Sequence, residues 1–217
     1  VSMAFSANPE DYTNRGNIIT PLKDRIDAQI ITHYPREIET GVKITEQEAW
    51  QNRNNEIEVF IADIYREIIE QTAFVARDSE YIDQKSGVST RMTITAMEQV
   101  FSSAERRALI NDEKSAQVRI ADIFHMIPAL TGKLELVYEG EQEGAISVAK
   151  HIIGKAINKT FKKVFPDPQS KAENVKEMYK PVTDWFAQGN ELNLPDVLST
   201  KEYKKALDGV NGLKELV

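Results

Sequence analysis

The sequence predicts a mainly α-helical protein with a small α/β segment, containing two strands, at its start. Two observations lead to this fold class. From residue 35 onward, apolar residues recur at three- and four-residue spacing, which is the period of a helix with one buried face. Only residues 1–34 carry short alternating or β-branched runs between turn-forming residues, which is the pattern of strands.

The first 34 residues are predicted to form two strands joined by a loop and a short helix. Val1–Phe5 alternates apolar and small residues, and the β-branched run Ala28–His33 ends just before Pro35. Thr20 and Pro21 resemble an N-cap followed by proline at the first helical position. Two isolated strands do not form a stable sheet, and the first strand starts without an initiating methionine. We therefore expect a piece of a longer protein whose earlier strands complete the sheet.

The remaining elements are predicted helices with apolar faces and recognisable ends. Gly132, Pro166 and Ser199 mark boundaries, because glycine suits a helix C-terminus, proline ends a helix and serine caps one. Residues 133–138 fit either a short strand or an extended link. The predicted helices cover residues 56–76, 91–109, 118–130, 144–165, 172–188 and 199–207.

Composition and charge exclude several classes of protein. With 27 Lys and Arg against 34 Asp and Glu, the formal charge of −7 argues against a nucleic-acid binder, whose phosphate contacts need a basic face. The 41% hydrophobic share excludes compositional disorder, and no apolar run approaches the roughly 20 residues that span a bilayer. The chain has no cysteine, which excludes disulfides and fits a reducing compartment. We expect a soluble, cytoplasmic protein without a membrane partner.

Common catalytic and metal-binding patterns are absent from the sequence. The histidines His33, His125 and His151 lack the spacing of a metal-binding helix, and we interpret them as structural. The acidic run 139–143 lacks the order of a calcium loop and is better explained as charge favoured by the dipole of a helix at Gly144. Neither Gly-Lys pair has the flanking glycine or the Ser/Thr of a phosphate-binding loop. The sequence therefore predicts no metal site and no complete nucleotide site.

The most informative stretch places an asparagine and an arginine near the predicted strands. Asn8 follows the first strand, at the edge where open α/β sheets bind ligands, and its amide can orient a water or a phosphate oxygen. Arg25 follows Asp24 on a short predicted helix before the second strand. An exposed arginine there can reach a phosphate held by a neighbouring subunit and stabilise charge that develops in phosphoryl transfer. The alternative interpretation is a turn asparagine and a surface ion pair.

An ordered set of three motifs resembles the second half of an AAA+ ATPase. The motifs are Asn-Pro after a strand, Asp-Arg before the next strand, and Gly-Val-Ser-Thr-Arg before a helix. The resemblance covers roughly residues 1–130. The resemblance is closest to the MoxR-like branch, which includes the ATPase subunit of magnesium chelatase. It implies that Asn8 is sensor 1, Arg25 the arginine finger and Arg91 the sensor 2 of the lid. An insertion after sensor 1 adds Arg15, which can also face the subunit interface and ranks below Arg25.

The resemblance also implies a domain organisation and an activity. Residues 1–35 would end the α/β core, residues 36–130 would form the helical lid, and residues 131–217 would be a helical extension without an assigned role. The family's phosphate loop and magnesium-binding acidic pair lie upstream of sensor 1 and are not in this sequence. The full-length protein would use ATP and Mg²⁺ in a hexameric ring to remodel a partner, which in this family often carries an integrin-like metal-binding domain. This chain alone is expected to be inactive.

Two other functions fit the sequence with fewer specific features. Residues 36–217 have the acidic surface and the long amphipathic helices of a non-enzymatic helical adaptor. An ATPase activator of a transcription factor would share the core but needs a basic recognition helix, which the lysine pairs at 162–163 and 204–205 do not provide. A phosphate-loop motif encoded upstream of Val1 would favour the ATPase over the adaptor.

Overall fold

A computed structural model describes residues 3–6, 24–53, 57–84 and 86–216 and divides the chain into two units, Val1–Tyr34 and Pro35–Val217. In the first unit, the described residues form neither a helix nor a strand. The strand predicted at Ala28–His33 is therefore wrong: Ile30 is 89% exposed and Ile31 is 81% exposed. A strand needs a neighbour to pair with its backbone, and the described part of this unit offers none. The helix predicted at Pro21 begins outside the described residues.

The second unit is mainly helical with one small parallel sheet in its described part, so the predicted fold class is confirmed. In chain order, its described helices and strands begin with α1 Ile38–Glu48, β1 Glu58–Phe60, α2 Asp63–Arg77, α3 Arg91–Ile110, β2 Ser115–Gln117, α4 Ile120–Ile123, α5 Ile127–Thr131, α6 Tyr138–Glu143, α7 Ala145–Val164 and α8 Glu173–Ala187. Helix α9, Thr200–Asp208, follows, and short 3₁₀ turns lie at Phe124–Met126 and Lys214–Leu216. None of the described helices has the length and hydrophobicity to cross a bilayer.

The two strands pair in parallel, with Val59 opposite Ala116. The ladder continues at both ends, since the Glu58 amide donates to the Lys114 carbonyl at 3.0 Å and the Val118 amide donates to the Phe60 carbonyl at 2.8 Å. The helix predicted to begin at residue 56 is therefore wrong in its first part. The backbone groups of β1 are hydrogen bonded to β2, which lies more than fifty residues away in sequence. The local spacing of apolar residues does not reveal such a distant partner.

Two other predicted elements differ from the structure for identifiable reasons. The helix predicted over residues 118–130 is broken by the 3₁₀ turn before α5, where Pro128 lacks the amide that would continue the α-helical ladder. A strand or a link was predicted for residues 133–138. Residues 133–137 form a link that carries an antiparallel bridge between Leu136 and Ile82, and residue 138 begins α6.

The core of the second unit is built around α2, α3 and α7, and α2 packs along α7 over much of its length. Both helices carry completely buried alanines, Ala73 and Ala76 on α2 and Ala156 on α7. A buried alanine leaves room for a neighbouring element to pack closely against the helix backbone. Helix α7 thus belongs to the same hydrophobic core as the helices that precede residue 130.

Replacing Gly140 by alanine is expected to destabilise the protein by about 1–3 kcal/mol. A Cβ at this position would lie 2.6 Å from the Tyr81 carbonyl oxygen, a backbone atom that already accepts the Val137 amide at 3.1 Å. The matched control is Gly154→Ala in α7, where nothing lies within 4 Å of the added Cβ and the gain in helix propensity should stabilise. Urea unfolding of both variants provides the measurement, and equal shifts in the same direction would contradict the steric argument.

Candidate functional site

The structure describes two of the four residues that the sequence singles out. Asn8 and Arg15 lie outside the described residues. Arg25 lies in a turn of the first unit and Arg91 is the first residue of α3 in the second unit, and both are exposed. The two units are described separately, so each arginine is considered in its own surroundings.

Arg91 lies at the N-terminus of a 20-residue helix whose entry is set by the residues before it. Gly87 has a φ of +68°, a left-handed conformation that glycine adopts without a steric penalty. The side chain of Thr90 makes no capping hydrogen bond. Ser89 serves instead, because its Oγ accepts the Arg91 amide at 3.2 Å and its carbonyl accepts the Met92 amide at 2.9 Å.

The Arg91 guanidinium makes no hydrogen bond or ion pair among the residues that the structure describes. It therefore presents a permanent positive charge near the positive end of the α3 dipole. Both features favour an anionic ligand, and a phosphate oxygen suits the forked donors of an arginine. The first two amides of α3 are already bonded to Ser89, so they are not the groups that this end offers to a ligand.

The loop before α3 is fixed to the end of α2. Val88 is buried, and its carbonyl accepts a hydrogen bond from Arg77 Nη2 at 3.2 Å. The same guanidinium lies 5.4 Å from the centre of the Phe74 ring, within the range of a cation–π contact. These contacts limit the movement of the segment that leads into Arg91.

A buried polar cluster, formed by Thr45, Glu70 and Thr93, connects α1, α2 and α3. The Thr45 hydroxyl is hydrogen bonded to a carboxyl oxygen of Glu70 and lies 2.8 Å from Thr93 Oγ1, and Thr93 Oγ1 donates to the Thr90 carbonyl at 2.9 Å. Glu70 is only 2% exposed. A Cβ on Gly41 would lie 2.4 Å from Glu70 Oε2, so the glycine makes room for this carboxyl group.

The environment of Glu70 shifts its ionisation. Burial raises the pKa of Glu70 above its ordinary value, since the charged carboxylate is poorly solvated there. Hydrogen bonds from the hydroxyls of Thr45 and Thr93, and the charge of Arg77, act in the opposite direction but are weaker. Glu70 therefore holds its proton to a higher pH than an exposed glutamate does.

A second buried polar group is an ion pair between α3 and α4. Arg107 Nη1 lies 2.6 Å from Asp122 Oδ1, and the two side chains are 4% and 2% exposed. Asp122 also accepts Ser103 Oγ at 2.7 Å and the Arg119 amide at 2.7 Å, while Arg107 Nη2 donates to the Gln117 carbonyl at 2.6 Å. Because both carboxylate oxygens are already bonded inside the protein, we interpret this group as structural.

Arg119 joins the same region to the C-terminal helix. Its guanidinium lies 4.1 Å from the centre of the Tyr203 ring, and Nη1 donates to the Leu198 carbonyl at 2.8 Å. Burial, followed by the like charge of Arg107, lowers the pKa of Arg119. A groove of about 640 Å³ runs beside this contact, between α9 and the residues around β1 and the start of α2.

No group of three or more acidic or histidine side chains in the described ranges could hold a metal ion.

Sequence reasoning found Arg91 and its helix start but not Glu70. One signal was available, since Glu70 follows Ile68 and Ile69 on α2, where a charged residue interrupts a buried apolar run. Thr45 and Thr93 carry no comparable signal, because an isolated threonine fits a helix surface or an interior equally well.

Comparisons with known proteins add no relative to these observations. No protein-family model, no curated protein and no solved structure matches the chain. The resemblance to the AAA+ ATPases therefore stays a prediction, carried by the motifs themselves and by the surroundings of Arg91.

Proposed function

We propose that this chain is the sensor, lid and helical-tail part of a MoxR-like or magnesium-chelatase-type AAA+ ATPase. In the full-length ring, ATP hydrolysis at the subunit interfaces would move the lid and remodel a partner protein. The observation that supports this proposal best is Arg91, an exposed arginine without a protein partner in the described part of the chain, at the entry to a long helix. The sequence Gly-Val-Ser-Thr-Arg at residues 87–91 also has the order of Gly-x-Ser-x-Arg, in which this family carries sensor 2.

The surroundings of Arg91 suit a residue that senses a phosphate from a moving lid. The side chain of such an arginine must be accessible to the ligand, and its backbone must be held in place. A loosely held group contributes little to the stabilisation of a transition state. Val88 is anchored to Arg77 on α2, and Thr93 belongs to the buried cluster with Glu70. Arg91 lies between these two anchored residues, while its own side chain is exposed.

The proposal assigns complementary roles to the other predicted residues. Asn8 would orient the attacking water near the γ-phosphate, and Arg25 would reach the nucleotide of a neighbouring subunit in the hexamer. Arg15 would contribute to the same interface. The phosphate loop and the acidic pair that hold ATP and Mg²⁺ would come from the part of the protein before Val1, so this chain adjusts a phosphate that other residues hold.

Replacing Arg91 by alanine in the full-length protein is expected to lower kcat/KM for ATP by roughly 10- to 100-fold, which is the effect of losing one charge-assisted hydrogen bond. The effect should include a higher KM, because a lid arginine contacts the bound nucleotide before the reaction. Steady-state ATP hydrolysis over a range of ATP concentrations provides the measurement.

The matched control is Arg106→Ala, which removes another exposed arginine from α3. It lies fifteen residues further along, about 22 Å away by helix geometry, and should leave both kinetic constants unchanged. Equal kinetics for Arg91→Ala and the wild type would remove the sensor 2 role. An upstream reading frame without a phosphate loop would favour the helical adaptor instead.

A further inference from the structure

The groove beside α9 has the size of a site for a small molecule. Its volume of about 640 Å³ lies within the range of about 300–1,000 Å³ that is typical of such sites. Opposite α9 it is lined by residues at the end of β1 and the start of α2, and by residues 117–119. The lining residues of α9 are three, four and seven positions apart and therefore share one face of the helix: Thr200, Tyr203, Lys204 and Leu207.

Helix α9 is attached at its two ends. At its start, the amide and the hydroxyl of Thr200 donate to the carboxylate of Glu113 at 2.8 and 3.0 Å. Beyond its end, Val210 is buried. No residue of α9 itself is buried, and Tyr203 and Leu207 are only half-buried. The described structure thus leaves apolar surface of α9 uncovered beside the groove, and an apolar ligand would remove that surface from water.

The lining of the groove combines apolar walls with positive charge. Arg119 and Lys204 are the charged residues that line it in the described part of the chain, and none of these lining residues is acidic. The chain as a whole differs, since its 34 acidic residues outnumber its 27 Lys and Arg. Such a lining is complementary to a ligand with an apolar body and a negative charge. Most of the walls are aliphatic or aromatic, with contributions from Phe60, Ile61, Ile64, Val118 and Leu207.

Arg119 carries a buried positive charge that has no carboxylate partner within the described ranges. The residue is only 6% exposed. Its Nη1 donates to the Leu198 carbonyl at 2.8 Å, and its guanidinium lies against the Tyr203 ring, but neither contact supplies a negative charge. Burying a charge without a counterion is costly, so this guanidinium favours an anion beside it.

The two carboxylates that act on Arg119 through space are already bonded to other groups. They belong to Asp122 and Glu113, and neither forms an ion pair with the Arg119 guanidinium. Asp122 Oδ1 lies 2.6 Å from Arg107 Nη1, and its Oδ2 accepts the backbone amide of Arg119. Both oxygens of Glu113 accept from Thr200. The buried guanidinium of Arg119 thus remains the charge that an external anion can neutralise.

Tyr65 adds a neutral hydrogen-bond donor to the groove. It lines the groove, and its hydroxyl makes no hydrogen bond with the described residues. Burial, followed by the effects of Tyr203 and Asp122, raises the pKa of Tyr65. The hydroxyl therefore keeps its proton at neutral pH and can donate it to an anion.

We propose that this groove binds a small amphipathic carboxylate, with the carboxylate at Arg119 and the hydrocarbon body against the apolar face of α9. The forked donors of a guanidinium suit a carboxylate. One buried unpaired charge matches a monoanion, and Lys204 strengthens the attraction. The proposal is independent of the proposed function, because none of the groove residues is among the proposed nucleotide contacts.

Calorimetric titration of the 217-residue chain with decanoate, below the concentration at which it forms micelles, tests the site. We expect one molecule bound per chain, with the affinity falling roughly two- to fourfold for each methylene removed in octanoate and hexanoate. Decanol and decyltrimethylammonium keep the body but lack the negative charge, so they should bind roughly tenfold more weakly or less. In NMR spectra, decanoate should shift the amides of residues 58–65, 117–119 and 200–207 most.

Three results of these titrations would overturn the proposal. They are the absence of decanoate binding, equal affinities for decanoate and decanol, and amide shifts that lie outside the three segments around the groove. Equal affinities for hexanoate and decanoate would also contradict it, because the apolar walls would then make no contribution.

Replacing Arg119 by glutamine tests the buried charge, because glutamine keeps a donor for the Leu198 carbonyl and removes the cation. Decanoate should bind roughly tenfold more weakly to this variant, and wild-type affinity would overturn the assignment. If Arg119→Gln does not fold, Lys204→Glu replaces it and should weaken binding about fivefold or more. Its matched control is Lys205→Glu, which makes the same change of charge at the next residue, outside the groove lining, and should stay within about twofold of the wild type. Equal affinities of these two variants would overturn the site.

Discussion

Replacing Arg25 by alanine in the full-length protein is expected to reduce ATP turnover by roughly a thousandfold or more, the range measured for arginine fingers. The guanidinium would act on charge that develops on the nucleotide of the neighbouring subunit, so its loss affects the transition state more than the ground state. ATP affinity and ring assembly should therefore stay close to those of the wild type. Single-turnover hydrolysis, nucleotide binding and sedimentation measure the three properties separately.

The surroundings of Arg25 make this experiment straightforward to interpret. The side chain is exposed, and it has no hydrogen bond or ion pair within the described part of the first unit, so its removal should not disturb folding. Arg36→Ala is the matched control, because Arg36 is also exposed and lies just beyond the boundary at residue 35. Turnover at the wild-type rate in Arg25→Ala would refute the role of an arginine finger.

Replacing Asp122 by alanine should destabilise the second unit by about 3–5 kcal/mol, the loss expected when one partner of a buried ion pair is removed. The variant would leave the Arg107 guanidinium buried without its carboxylate, although the Gln117 carbonyl still accepts from Nη2. The Ser103 hydroxyl and the Arg119 amide would lose their acceptor as well. Urea unfolding followed by circular dichroism provides the free energy of unfolding.

An exposed pair provides the comparison for this stability prediction. Asp63 lies 3.0 Å from Arg66 in a pair whose carboxylate is fully exposed, so Asp63→Ala should cost less than about 1 kcal/mol. Arg107→Ala should be nearly as destabilising as Asp122→Ala, because it leaves a buried carboxylate that has lost its counterion. A loss below about 1 kcal/mol for Asp122→Ala would contradict the argument, since it would equal the effect of a surface pair.

The helix ends were predictable where the chain carries local chemistry for them. Helix α3 begins at the predicted Arg91, α7 lies within one residue of its prediction at each end, and α9 begins after the predicted cap. That cap is reciprocal, since the Glu202 amide donates to Ser199 Oγ at 3.2 Å and the Ser199 amide donates to Glu202 Oε2 at 3.0 Å. Such signals act within one turn, so sequence alone reveals them.

The strands were not predictable for the same physical reason. Their pairing depends on distant backbone groups, so neither the β-branched run at 28–33 nor the helix-like spacing at 58–60 indicated the observed structure. The setting of Glu70 belongs to this class, because its burial results from α1 and α3 packing on α2. Arg91, by contrast, is defined by a short motif at a helix start, which is a local feature.

The packing of α2 along α7 has a mechanical consequence. Two helices that pack along each other and are joined by the ion pair between Glu67 and Lys163 lose contacts when they slide past each other. A joint rotation of the two helices keeps those contacts. Helix α7 has twenty residues and is about 30 Å long, so a rotation of about 10° at one end displaces the other by roughly 5 Å. Any tilt of α2, whose Arg77 holds the loop before Arg91, would thus be carried with α7.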